Sequence, residues 1–283
     1  MSKSNSEENA FAADAINCEI LPSFPLWKYM SLADGQKPSW QDKLAQICLE
    51  GKIYCSSPRD FNDPFDCLPN IASPTERDAI EGLSEKLVAN FISALPELPP
   101  DEIEREARNG LLSLSPEQLR VTSTIASERT ASNMGVYCLS ECIDSVLMWS
   151  HYANNHTGIA LKFEPLLQPR GGLMPLLRVS YDENRPMVSY FESEGTVRFA
   201  DALTSKAAFW SYEREWRKIV PNGAGRFLEF DTKVVTGVVF GVNCRAALRE
   251  AVKAVIDNRS LKFWEAVSSP NKFELLFRRL DER

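Results

Sequence analysis

The chain has 283 residues, of which 44% are hydrophobic and 25% charged, and its formal net charge is −7. That length allows one large domain or two small ones around a well-buried core, with a composition ordinary for a water-exposed globular protein. The negative total argues against non-specific coating of nucleic acid or anionic membrane, which rests on clustered cations. The longest apolar runs, such as Val234 to Val242, fall far short of the roughly 20 residues of a spanning helix.

The first nine residues are polar and carry Glu7 and Glu8 before any apolar stretch, the reverse of a secretory signal. Residues 1–20 are expected to form a disordered polar tail and residues 21–283 a single domain. Seven cysteines, an odd number lying mostly inside apolar runs, read as small buried hydrophobes of a reduced, cytoplasmic protein.

Leu26 to Met30 reads as a first strand. A helix follows from about Trp40 to Glu50, closed by Gly51 in the C′ position, and Lys52 to Ser56 reads as a second strand. Two prolines and three aspartates make Arg59 to Pro69 a rigid, turn-rich loop. Ser73-Pro74-Thr75-Glu76 is a capping box with proline at the first helical position. Ile80, Leu83, Leu87 and Phe91 then recur at helical spacing. After a break at Leu98-Pro99-Pro100, Asp101 to Leu112 is a further helix, and the box Ser115-Pro116-Glu117-Gln118 opens another. Residues 73–133 therefore form a helical insertion.

From Val136 the strands return: Val136 to Ser140, Gly158 to Phe163 and Leu176 to Tyr181, with a short helix from Asp144 to Tyr152. A helix near Ala202 to Trp210 leads into a strand from Glu213 to Val220. Arg226 to Phe230 and Val234 to Phe240 extend the sheet, the second without polar alternation and hence interior. Asn243 is expected to cap a helix reaching Ile256, before strands at Leu261 to Val267 and Phe273 to Leu280. The fold expected is α+β: a mixed, largely antiparallel central sheet with flanking helices and the α-helical insertion.

Three segments concentrate reactive groups. The only two histidines, His151 and His156, share the stretch Trp149-Ser150-His151-Tyr152-Ala153-Asn154-Asn155-His156. Cys138 and Cys142 with these histidines give a C-x3-C-x8-H-x4-H spacing. Its middle segment is shorter than the ~12–15 residues of zinc fingers and apolar, so no metal is assigned. His151 and Tyr152, beside Trp149, suit the grip of a ribose or an aromatic ring, while a helix-end histidine bonding the last carbonyls is the plainer alternative. His156 is expected to order the turn into the next strand.

In Trp210-Ser211-Tyr212-Glu213-Arg214-Glu215-Trp216-Arg217, strand periodicity puts Glu213, Glu215 and Arg217 on one face. Two carboxylates one pleat apart repel unless a cation intervenes. Framed by Trp210, Tyr212 and Trp216, they read as a catalytic glutamate and its supporting partner; the alternative is a solvated face of alternating charges. In Phe61-Asn62-Asp63-Pro64-Phe65-Asp66, Asn62 and Asp63 are expected to satisfy loop backbone through Asx-turns, with the phenylalanines as anchors.

Together these motifs resemble the bacterial domain of unknown function 2971 family (DUF2971). The residues that carry the resemblance are Leu26-Trp27-Lys28-Tyr29, Ser56-Ser57-Pro58, Phe61 to Asp66, Cys138-Leu139-Ser140, Met148 to Ala153, Lys206, Trp210, and Tyr212 to Arg217. They span most of residues 26 to 241; Cys142 lies outside the pattern. The order of elements is in turn similar to the ADP-ribosyltransferase superfamily, although Met30 stands where one large class carries arginine.

That similarity implies NAD as a substrate. Lys28 or Tyr29 would contact its phosphates or ribose, Ser56 and Asn62 would support the site, and His151 and Tyr152 would frame the nicotinamide. Trp149, Trp210 and Arg217 would complete the binding surface. Glu215, aided by Glu213, would polarise a ribose hydroxyl as an oxocarbenium-like transition state forms. The acceptor is unknown. A nucleotide- or nucleic-acid-binding module that stacks bases on Trp149, Trp210 and Trp216 is the second expectation, and a protein-interaction domain the third. No Gly-rich phosphate loop is present, which excludes Rossmann and P-loop readings.

Overall fold

The computed structural model describes residues 25–35, 37–68, 70–71, 88, 99–168, 171–188 and 200–280. The expected tail, the capping box at Ser73 to Glu76 and the helical repeat from Ile80 to Phe91 lie outside them. Two compact units form, one from Phe61–Asn133 and Asp182–Ala207, the other from Cys18–Asp60, Met134–Tyr181 and Ala208–Arg283.

The second unit is built on an eight-stranded sheet, whose strands we label in chain order. They are β1 (Leu26–Met30), β2 (Gly135–Ser140), β3 (Ile159–Phe163), β4 (Leu177–Arg178), β5 (Glu215–Val220), β6 (Val235–Phe240), β7 (Lys262–Ser268) and β8 (Leu275–Leu280). Their spatial order is β8-β7-β6-β3-β1-β2-β5-β4. All pairings with a defined register are antiparallel except β6 with β7. The helix Ala246–Val255 makes that parallel crossover, as parallel strands require. The α+β, largely antiparallel architecture is thus as expected.

Both faces of the sheet are covered, so its central strands are buried throughout rather than alternately. On one face Leu26, Met30, Leu139, Leu161, Trp216 and Val238 join a core closed by Trp40, Leu44 and Val252 from two helices. On the other, Tyr29, Ala160 and Val239 pack with Met148 and Trp149 from the helix Val146–Tyr152. A two-stranded ribbon, Lys52–Cys55 with Arg226–Glu229, is tied to the sheet through a bridge between Ser56 and Val136.

Several boundaries differ from the sequence reading. The first helix is α-helical over Trp40–Ala45, under a Ser39/Asp42 capping box, then widens to a π-turn over Gln46–Glu50 before the left-handed Gly51. The helix expected at Ala202 to Trp210 gives way to a strand at Ser205–Ala207 and a 3-10 turn at Ala208–Glu213. Asn243 does not cap its helix, whose N-cap is Arg245. Instead, the Asn243 backbone N–H donates to His156 O at 3.0 Å and its Nδ2 to Asn155 O at 3.2 Å. Those bonds hold three successive left-handed residues, Asn154, Asn155 and His156, with φ of 49°, 52° and 66°. His156 does order the turn into β3, as expected.

In the first unit, Pro100–Leu112 and Pro116–Asn133 are helices. The second opens with the expected capping box: Gln118 N donates to Ser115 Oγ and Ser115 N to Gln118 Oε1. Asn70–Ile71 pairs in parallel with Met187–Val188, and buried Lys206 lies 3.3 Å from Asp66. No described helix is long and apolar enough to cross a membrane.

Two outcomes test this core. At Gly158 a Cβ would lie 2.3 Å from Met30 O and 2.9 Å from Ala153 O, both backbone atoms. Gly158→Ala is therefore expected to destabilise by about 3 kcal/mol, read from denaturant unfolding. Burial pushes the Cys48 thiol from 9.0 up to about 12, partly opposed by Arg259. Because the folded value is the higher one, this thiol's contribution is intact below pH 9.0 and is lost as pH rises through about 12. Stability measured against pH is expected to fall less steeply across that window in Cys48→Ala.

Candidate functional site

The site grows from the end of β2. Ser140 Oγ donates to the Glu213 carbonyl and accepts from Cys142 N at 3.0 Å. Tyr29 donates its phenol hydrogen to Cys142 O at 2.7 Å, and Trp149 Nε1 donates to Ile143 O at 2.7 Å. These bonds fix the loop that leads to Ser145, whose side chain caps the helix Val146–Tyr152 by accepting from Met148 N. The last residue of that helix, Tyr152, donates to Glu213 Oε1 at 2.6 Å. This is a short, charge-assisted bond to a carboxylate only 2% exposed.

Beside that pair lies an aromatic group. The exposed His151 ring is 6.3 Å from Trp210 and 6.4 Å from Tyr212, and Trp210 is 5.9 Å from Tyr212 and 5.8 Å from Phe209. Phe209 is 70% exposed. A carboxylate held by a phenol beside a half-open set of rings suits a planar ligand carrying a sugar hydroxyl.

The expectation that Glu213 and Glu215 share a strand face is corrected. The strand begins only at Glu215; Glu213 ends the 3-10 turn, and Arg214 between them is left-handed, with φ of 41°. The alternation is broken at that point, and the carboxylates meet different partners. Both Glu215 oxygens accept from Arg217, at 2.8 Å from Nε and 3.0 Å from Nη2. Arg217 is 0% exposed, so this is an internal ion pair, and Glu215 N donates to Tyr181 Oη at 2.8 Å. The Cys138 thiol also bonds the Glu215 carboxylate and is pushed well above its ordinary range, chiefly by burial and then by that negative charge.

The structure thus brings together His151, Tyr152, Trp210 and Glu213, with Glu215 and Arg217 as a buried pair beyond them. Within that unit, four other expected site residues lie elsewhere. Trp149 is fully buried, edge-on to Tyr29 at 5.1 Å and stacked on His156. Tyr29 is buried, and burial first, then Cys142 and Asp144, raises its phenol above the usual range. Lys28 projects from the opposite face: Trp27 opposes Ser140, which opposes Glu215, so the neighbouring Lys28 points the other way. Ser56 makes the bridge to Val136. Asn62 is exposed and belongs to the other compact unit.

Two contributors escaped the sequence reading. Ser140 sits two residues after Cys138, so period-2 alternation alone could have placed it on the Glu215 face. Tyr181, at the end of the expected strand Leu176 to Tyr181, supports β5 by accepting from Glu215 N, a long-range bond that no local pattern signals. Removing one partner of the buried ion pair leaves the other charge stranded. Arg217→Met is expected to destabilise by about 3–5 kcal/mol in chemical denaturation, several times the effect of Lys253→Met in the exposed pair with Glu250.

Residues 148–218 match a family model described as Protein of unknown function (DUF2971). Neither the curated proteins nor the solved structures provide a match. The matched segment runs from the helix that ends in His151 and Tyr152, through Trp210, Tyr212 and Glu213, to Glu215 and Arg217 in β5. Over the residues that build the site, the chain is thus similar to the DUF2971 family.

Proposed function

We propose that the second unit is an ADP-ribosyltransferase-like enzyme that cleaves NAD at the nicotinamide–ribose bond. The observation that carries this reading is the 2.6 Å bond from Tyr152 to buried Glu213 beside His151, Trp210 and Tyr212. Glu213, rather than Glu215, is the acting carboxylate, because Arg217 grips both Glu215 oxygens. Tyr152 fixes the orientation of Glu213, and the rings pack against the nicotinamide. Glu213 accepts a hydrogen bond from a ribose hydroxyl, and its negative charge stabilises the oxocarbenium-like transition state. The C–N bond breaks, its electron pair leaves with the nicotinamide nitrogen, and an acceptor or water adds at the ribose carbon and loses a proton. On the same reading the protein works in the reducing cytoplasm of a bacterium, which the free thiols of Cys48, Cys55, Cys67, Cys138, Cys142 and Cys244 support.

A second reading, a nucleotide- or nucleic-acid-binding module without turnover, draws on the exposure of Phe209 beside Trp210, an arrangement suited to base stacking. Nicotinamide release by the full chain separates the two. Wild type is expected to release nicotinamide, with kcat lowered about 100-fold or more in Glu213→Gln and about tenfold in Tyr152→Phe, at little-changed KM. An NAD-dependent rise in Tm without release transfers the site to the binding reading. The absence of both release and a Tm shift eliminates NAD as its ligand.

A further inference from the structure

The eight-stranded sheet ends at β8, which pairs with β7 and with no other described strand. Its outer edge is therefore a template for a further strand. The Ser269 N–H donates to Glu274 O at 3.0 Å, so the ladder with β7 continues to Glu274. Backbone groups alternate in direction along an antiparallel strand, which aims the N–H and C=O of Leu275, Phe277 and Arg279 at the open side. The side chains there are equally uncovered. Leu276 is 45% exposed, Phe273 in the preceding turn is wholly exposed, and Glu274, Arg278 and Arg279 are exposed charges.

The charge on this edge is unbalanced. Buried Glu265 in β7 accepts from both Arg249 and Arg278, two cations against one carboxylate. Arg278 spends Nε and Nη2 on Glu265, and its Nη1 bonds no described residue. Glu274 has only a 4.0 Å contact with Lys272. A second copy of the same edge supplies what each group lacks. Two antiparallel copies related by a twofold axis meet at one residue that opposes itself, because directly opposed residues share a face of the sheet. With Leu276 in that place, Glu274 opposes the partner's Arg278, Leu275 opposes the partner's Phe277, and Phe273 lies beside the partner's Arg279, a cation against a ring. Leu275 and Phe277, whose backbone groups point outward, then exchange the ladder bonds. Leu276 and the Glu274–Arg278 pairs take the non-hydrogen-bonded positions, where side chains approach most closely. Neighbouring registers fail. An axis at Phe277 sets Leu276 against Arg278 and Leu275 against Arg279; one at Leu275 sets Lys272 against Arg278; one at Arg278 sets two guanidinium groups together.

We propose that β8 is a dimerisation edge: two copies of this chain pair antiparallel through it, with Leu276 on the twofold axis, and join their sheets into one. A contact built on one strand of 6 residues falls below the roughly 1,200 Å² of a standard stable interface, so the dimer is a reversible one. β5 lies near the opposite end of the sheet, and the pairing places no demand on the proposed chemistry at Glu213.

Sedimentation velocity of the full chain, from low-micromolar to submillimolar concentration, tests this. Wild type is expected to show a reversible monomer–dimer equilibrium. Leu276→Lys, which sets two ammonium groups on the axis, and Glu274→Arg, which opposes two guanidinium groups, are each expected to weaken it about tenfold or more. Both positions are exposed, so the Tm of the monomer should hold. Crosslinking reads the register independently of these variants. Across a non-hydrogen-bonded pair the Cα atoms lie about 4.5 Å apart, within disulfide reach, so Leu276→Cys is expected to yield a disulfide-linked dimer under mild oxidation. Arg279 lies far along the strand from its own counterpart in this register, and Arg279→Cys is expected to match the wild-type baseline. A chain that stays monomeric throughout leaves the edge to a strand of another protein and overturns the proposal. So does a dimer indifferent to both charge substitutions, or crosslinking in Arg279→Cys equal to that in Leu276→Cys. None of these readouts depends on NAD turnover.

Discussion

A guanidinium with no exposed surface must be neutralised where it stands, because an unpaired charge taken from water is disfavoured by several kcal/mol even after relaxation. Arg217 is that group, and much of the second unit is arranged around it. Its partner Glu215 sits two residues earlier on the same strand face and offers both oxygens to the planar fork, a geometry that lysine does not reproduce. Tyr181 and Ser140 then anchor the start of the strand, through the Glu215 backbone N–H and the Glu213 carbonyl. With β5 pinned in this way, the chain turns sharply at left-handed Arg214 and leaves Glu213 beside Tyr152. The ion pair is therefore the structural foundation on which the proposed site rests.

Period-2 geometry also divides the polar chemistry of the unit between two surfaces. Residues that follow one another in β1 go to different partners: Trp27 and Tyr29 to the helix carrying His151 and Tyr152, Lys28 to the face it shares with Tyr137 and Lys218. Motif proximity in sequence consequently overstates proximity in space. Lys28 and Tyr29 are neighbours in the chain, yet they serve opposite sides of the sheet.

Much of this was legible beforehand. The strands from Leu26, Val136, Gly158 and Val234 announced themselves by β-branched and aromatic runs, and the Ser115 box by its spacing. The aromatic segments around His151 and Trp210 were recognisable as belonging together. What stayed hidden was set by long-range partners. Asn243 carries the chemistry of a helix cap, but the carbonyls of Asn155 and His156 claimed it. The turn before Glu215 was read as strand because alternation of charged residues looks the same whether or not one φ is inverted. Glu213 and Glu215 were indistinguishable as letters; only the position of Tyr152 on one side and Arg217 on the other gave them different partners.

The central position of β1 has a consequence for synthesis of the chain. Its two neighbours in the sheet, β2 and β3, are encoded more than a hundred residues later, so β1 has no neighbour to pair with until about half of the chain exists. At ribosomal speeds of about 5–20 residues per second that interval is on the order of ten seconds. Throughout it an apolar strand with open edges is a template for unwanted association. Assembly of this sheet is thus tied to translation, and the nascent chain offers a chaperone a defined segment to shield: Leu26 to Met30, until β2 and β3 close over it.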